Sequence, residues 1–124
     1  IALGEAIKSG HFKMSVRIDR VQGAWLGIGF IENPELNLKG TYYSQAVCIT
    51  SDGYFFNLTV NNNSPPIAQG VIYHFEANLN NGEILIQGEN GLNAKTTGFM
   101  NRVLYPSFEF RGIHQATIIA IDRS

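Results

Sequence analysis

The chain has 124 residues, nine Lys and Arg against ten Asp and Glu, and a formal charge of −1. That near-neutral balance gives no electrostatic reason to expect nucleic acid or an anionic membrane as a partner, since both need a concentrated basic surface. The length suits one domain over residues 1–124 and leaves no room for two, and no apolar run reaches the roughly 18 residues of a spanning helix.

Residues 2–8 are the one helical candidate, weakened by Gly4 and Gly10. Phe12, Met14, Val16 and Ile18 then alternate with Lys13, Ser15, Arg17 and Asp19, which predicts a strand with one buried face. Residues 20–23 read as a short turn. Leu26, Ile28 and Phe30 alternate with Gly27 and Gly29, a buried strand whose glycines let something pack close. A loop over 32–40 holds Asn33-Pro34. Residues 46–49 are continuously apolar, as in a strand covered on both faces, and Cys48 fills core volume there. Ser51-Asp52-Gly53 supplies a turn and 54–58 return as a strand. Residues 60–68 form a loop with three Asn and Pro65-Pro66. A long alternating strand covers 71–77, and Asn81-Gly82 favours a two-residue hairpin turn with positive φ before a strand over 83–87. Residues 88–100 read as loop, and strands over 107–111 and 115–121 finish the chain. About nine short strands predict an all-β fold, an antiparallel two-sheet β-sandwich, because neither sheet can bury its apolar face alone.

Catalytic and metal chemistry is not signalled. His11, His74 and His114 are scattered, and none has a His or Cys at ligand spacing. His74, mid-strand, reads as structural. No Gly-x-Ser-x-Gly elbow and no phosphate-binding Gly-Lys-Ser/Thr loop occurs. Glu32 and Glu35, and Glu83 and Glu89, lack the alternate spacing that would set two acids on one strand face. A non-enzyme without cofactor or metal is expected. The lone Cys48 fits an intracellular protein; the sequons Asn57-Leu58-Thr59 and Asn62-Asn63-Ser64 keep secretion as the alternative. With Ile1 at its start and no signal-peptide pattern, the chain reads as a mature form or as a segment of a longer protein, the latter being the expectation.

The order of these motifs resembles a SPRY domain, a concanavalin-like jelly roll. Gly10-His11-Phe12-Lys13-Met14-Ser15-Val16 is similar to that family's opening strand, and Trp25-Leu26-Gly27-Ile28-Gly29 to the next. Residues 70–78 resemble its Gly-Asp-x-x-Gly-x-x-x-Asp strand, with Val71 and His74 as departures. Asn78-Leu79-Asn80-Asn81-Gly82 resembles an Asp-Leu-Asp-Asn-Gly turn. Residues 84–91 and Leu104-Tyr105-Pro106-Ser107-Phe108 resemble the strand that follows and the closing segment. The resemblance spans residues 8–121. It implies a divergent, non-catalytic interaction module that binds a short segment of a protein or peptide through loops at one end, within a larger complex in some settings.

The residues themselves point to loops as well, since rigid sheets hold loops in fixed positions. Asn33, Tyr42 and Tyr43 stand on the first long loop, Asn61, Asn62 and Asn63 on the second, and Arg102 offers a forked donor to a partner carboxylate. Strand core is the alternative for the tyrosines, a solvated turn for the Asn run, and an ion pair within the chain for Arg102. Trp25, Phe108 and Phe110 read as core. A lectin-like carbohydrate-binding sandwich is the second functional reading, with Tyr42, Tyr43, Tyr54 and Asn61–Asn63 as sugar contacts. Only three Asp, at 19, 52 and 122, are available for a calcium site of the kind lectins often carry.

Overall fold

A computed structural model describes residues 5–32, 46–61 and 65–124. Among these the fold is all-β, with no helix. The strands are β1 (His11–Ile31), β2 (Val47–Thr50), β3 (Phe55–Phe56), β4 (Thr59–Val60), β5 (Ile72–Asn78), β6 (Glu83–Gly88), β7 (Asn93–Thr96) and β8 (Tyr105–Arg123). They hydrogen-bond into one antiparallel sheet in the order β3-β2-β1-β5-β6-β7-β4, with β8 along the other side of β1.

This sheet curls until its two ends come near each other. β3 and β4 stand at opposite ends of the order, yet only Asn57 and Leu58 separate them in sequence. Three peptide units span at most roughly 11 Å, so the two ends lie side by side and the sheet is nearly closed into a barrel. Asn57, at φ 59°, makes the reversal, and its side-chain amide donates to the Ala46 carbonyl at 2.7 Å.

The curl depends on a bend in the longest pair. β1 and β8 run antiparallel from Phe12↔Arg123 to Ile31↔Tyr105, with register shifts at Ser15/Val16, Ile18/Arg20 and Gln22/Trp25. At the last of these Gly23 (φ 126°) faces Gly112 (φ 130°), and a Cβ on Gly23 would lie 2.6 Å from the Gly112 Cα. Extra residues in one strand of a ladder bend it and raise its twist, and backbones can approach this closely only where neither carries a side chain. The first half of β1 (His11–Arg17) pairs with β5 and the last part (Gly27–Phe30) with β2. The bend therefore lays the β5 side of the sheet over the β2 side. Arg17 and the Thr117 hydroxyl hold Asp19 across the β1–β8 pair near the bend. Hydrogen bonding from Thr117, then from Arg17, keeps the Asp19 carboxyl below the usual carboxylate range.

Inside the curl, Phe12, Met14, Val16, Ile18, Leu26, Ile28 and Phe30 from β1 meet Tyr73, Phe75, Ile84 and Ile86. Alternation put these residues on one face, as the sequence predicts. A smaller cluster of Trp25, Ile31, Ala46 and Cys48 packs on the opposite face of β1 and β2. The glycines of the Trp25 strand have distinct jobs there. The Trp25 ring lies across Gly27, 2.5 Å from where a Cβ would sit, and the Val47 carbonyl and Cys48 crowd Gly29.

Several expectations need correction. Residues 20–23 are not a turn but the bend of a continuous strand, and 107–111 and 115–121 are parts of the single β8. Residues 88–100 contain β7; its Ala94 and the preceding Leu92 reach the core. The 54–58 strand is cut to two residues by Asn57. Asn78 pairs with Glu83, so residues 79–82 form a four-residue connection in which only Gly82 has positive φ, not a two-residue turn. Residues 5–8 are not helical; Ile7 pairs with Leu104 through hydrogen bonds of 2.7 and 3.0 Å. Phe108 packs against the core, whereas Phe110 is exposed.

Candidate interaction surface

Strand β8 is the sheet's least covered element. Among the described residues its ladder partner is β1 alone, and from Phe110 to Arg123 most of its residues are exposed, so the other edge presents backbone N–H and C=O groups along that part of the strand. Proteins commonly protect such edges with charges, Pro or short strands. Here residues 112–121 contain no Asp, Glu, Lys or Arg.

The side chains along this edge are apolar. Ile121 stands opposite Met14 and Ile118 opposite Val16 in the ladder. Cross-strand partners share a face, and Met14 and Val16 are fully buried, so both isoleucines project on the core side. They are nevertheless 56 % and 37 % exposed, and Phe110, Ile113 and Ile119 add to the exposed apolar surface of the strand. The hydrophobic layer thus ends at β8 without a cover from the described residues.

A second feature lies where the chain leaves β1. Arg102 Nη1 donates to Glu32 Oε1 at 2.7 Å, and its guanidinium sits 5.7 Å from the Phe99 ring centroid. Phe99 in turn donates its N–H to the Gly82 carbonyl at 3.0 Å. This chain of contacts ties residues 97–104 to the end of β1 and to the β5–β6 connection. Of the options open for Arg102, the ion pair within the chain is the one found. Both partners are largely exposed, so the pair contributes at most about 1 kcal/mol.

Asn61 also has structural work. Its Oδ1 accepts the Asn93 N–H at 3.1 Å, its N–H donates to the Asn93 carbonyl at 3.1 Å, and its side-chain amide reaches the Gly91 carbonyl at 3.3 Å. The expected contacts Asn33, Tyr42, Tyr43, Asn62 and Asn63 lie outside the described residues. Trp25 and Cys48 are core, as predicted.

The outer face of β1, β5 and β6 carries a polar network. His11 Nε2 lies 2.6 Å from Glu76 Oε1, Ser15 Oγ 2.7 Å from His74 Nδ1, and His74 Nε2 3.1 Å from Glu89 Oε2. Ser15 and His74 are direct cross-strand partners, so their contact is one that register alone produces. Among the described residues no group of three His, Cys, Asp or Glu could hold a metal ion, and no helix is long and apolar enough to cross a membrane.

The β8 surface was not singled out by sequence reasoning. The signal available was the charge-free run Ile118-Ile119-Ala120-Ile121, which reads equally well as a central strand. The chain matches no protein-family model and no curated protein.

Proposed function

We propose that this chain is a non-catalytic protein-interaction module of divergent SPRY type, in which the fold-over of β1 and β8 makes the two opposed layers of a sandwich. The observation that carries the reading is the exposed stretch of β8 over residues 112–121, without Asp, Glu, Lys or Arg and with core-side Ile118 and Ile121 exposed. An extended segment of a partner protein, apolar at alternate positions, completes this edge. Main-chain hydrogen bonds give affinity and alternate side chains give selectivity. Covering the part of one such isoleucine that is still exposed contributes about 0.5–1.5 kcal/mol. Asn33, Tyr42, Tyr43, Asn62 and Asn63 add partner selectivity, together with Asn61 and Arg102. An intracellular setting suits the buried thiol of Cys48.

Affinity capture with the chain and with an Ile121→Lys variant, compared by mass spectrometry, tests the reading. A polypeptide retained by the first and lost from the second, with unchanged circular dichroism, is expected. Equal retention by both would reject the β8 edge. Substituting Tyr42 and Tyr43 by Ala tests the rim in the same format.

Carbohydrate binding is a second reading, favoured by Tyr54, which is 61 % exposed with its ring 6.1 Å from that of Phe56. Glycan-array binding abolished by Tyr54→Ala would establish it in place of the first.

A further inference from the structure

Where the ends of β8 come together, an open hollow of about 610 Å³ is lined by Glu5, Ala6, Lys8, Ser9, Tyr105 and Arg123. Tyr105 and Arg123 are the first and last residues of β8, brought to one place by the bend. The volume falls within the range of small-ligand sites, roughly 300–1,000 Å³.

The lining is rich in donors. The Arg123 guanidinium is held in place: Nη2 donates to the Glu5 carbonyl at 3.0 Å, Nη1 to the Ala6 carbonyl at 3.5 Å, and its carbon lies 5.1 Å from the Phe12 ring centroid. These contacts orient the group without neutralising it. Among the described residues neither Arg123 nor Lys8 has a carboxylate at ion-pair distance. Ser9 and Tyr105 contribute hydroxyls, and Glu5 is the single acidic residue of the lining. A guanidinium already fixed loses little freedom on binding and matches the geometry of carboxylate and phosphate oxygens.

We propose that this hollow binds an oxyanion, a carboxylate or phosphate group of a ligand, with Arg123 and Lys8 as charged donors and Ser9 and Tyr105 as hydroxyl donors. The inference is independent of strand pairing at β8.

The test is a titration of the isotope-labelled chain, followed by amide chemical shifts at low ionic strength, with inorganic phosphate and separately with succinate. Saturable shifts of the Ala6, Ser9, Tyr105 and Arg123 amides with at least one anion are expected, and the preferred anion identifies the source. Lys8→Gln should weaken binding about tenfold or more, Lys8→Arg should retain it, and Glu5→Gln should tighten it by removing the competing carboxylate. Shifts at these amides with neither anion would overturn the proposal. So would equal shifts with chloride, or an affinity that Lys8→Gln leaves unchanged while its spectrum remains that of the folded chain.

Discussion

The rings of Phe12 and Phe30 meet edge to face, with centroids 6.1 Å apart and planes at 83°, although both residues belong to β1. Eighteen residues of straight strand would separate them by roughly 60 Å. Their contact is the direct consequence of the bend at Gly23 and Gly112, and it marks the place where the two halves of the sheet share one interior. The same bend brings Tyr105 and Arg123 to one hollow, and among the described residues it leaves β8 with β1 as its one ladder partner.

This contact should be energetically coupled. Phe12→Ala or Phe30→Ala alone should cost about 3–5 kcal/mol. The double-mutant cycle, read by urea denaturation, should give a coupling of about 0.5–1.5 kcal/mol. Strict additivity would mean that the rings do not meet in solution.

Gly23→Ala should damage the bend itself. The new Cβ would meet the Gly112 Cα at 2.6 Å and Ile113 N at 3.2 Å, at a φ that L-residues rarely adopt. Backbone strain and overpacking together should cost about 2 kcal/mol or more, measured as a lower denaturation midpoint. A loss below about 1 kcal/mol would show that the ladder does not turn there.

Tyr73 should make the fold sensitive to alkali. Its side chain is fully buried, and its hydroxyl accepts the Ala68 N–H at 2.9 Å and the Asn90 amide at 3.1 Å while donating to the Pro66 carbonyl at 3.3 Å. Burial pushes its pKa above the ordinary 10.0, opposed by the hydrogen bonds from Ala68 and Asn90. The neutral form is therefore the folded one. Its contribution is complete below the unfolded pKa and is lost as pH rises through the folded pKa. Tyr73→Phe should cost about 1–2 kcal/mol at neutral pH, since it leaves the half-buried Ala68 N–H and the Asn90 amide without this acceptor, and should flatten the alkaline fall in stability. An equally steep fall in the variant would assign that titration elsewhere.

Strand existence was largely legible in the sequence because burial imposes a period of two. Phe12 to Ile18, Leu26 to Phe30 and Tyr73 to Ala77 all face the core as their spacing indicates. Continuity was not legible, since Gly23 and Gly112 signal a turn locally and become a bend only because each faces the other across a ladder of distant residues. β7 was hidden because Asn93, Ala94 and Lys95 have weak strand preference, and pairing with β6 makes them extended. The Arg102–Glu32 pair joins residues 70 positions apart, a relation that no local pattern encodes. The open edge of β8 was equally invisible, for the same isoleucines would suit a strand flanked on both sides.

Amide hydrogen exchange along β8 in the isolated chain tests the open edge most directly. Amides directed at β1 should be protected, and the alternate amides between Gly112 and Asp122, directed away from it, should exchange quickly. Uniform protection of both sets would show that the edge is already covered and would contradict the assignment of β8 as the interaction surface.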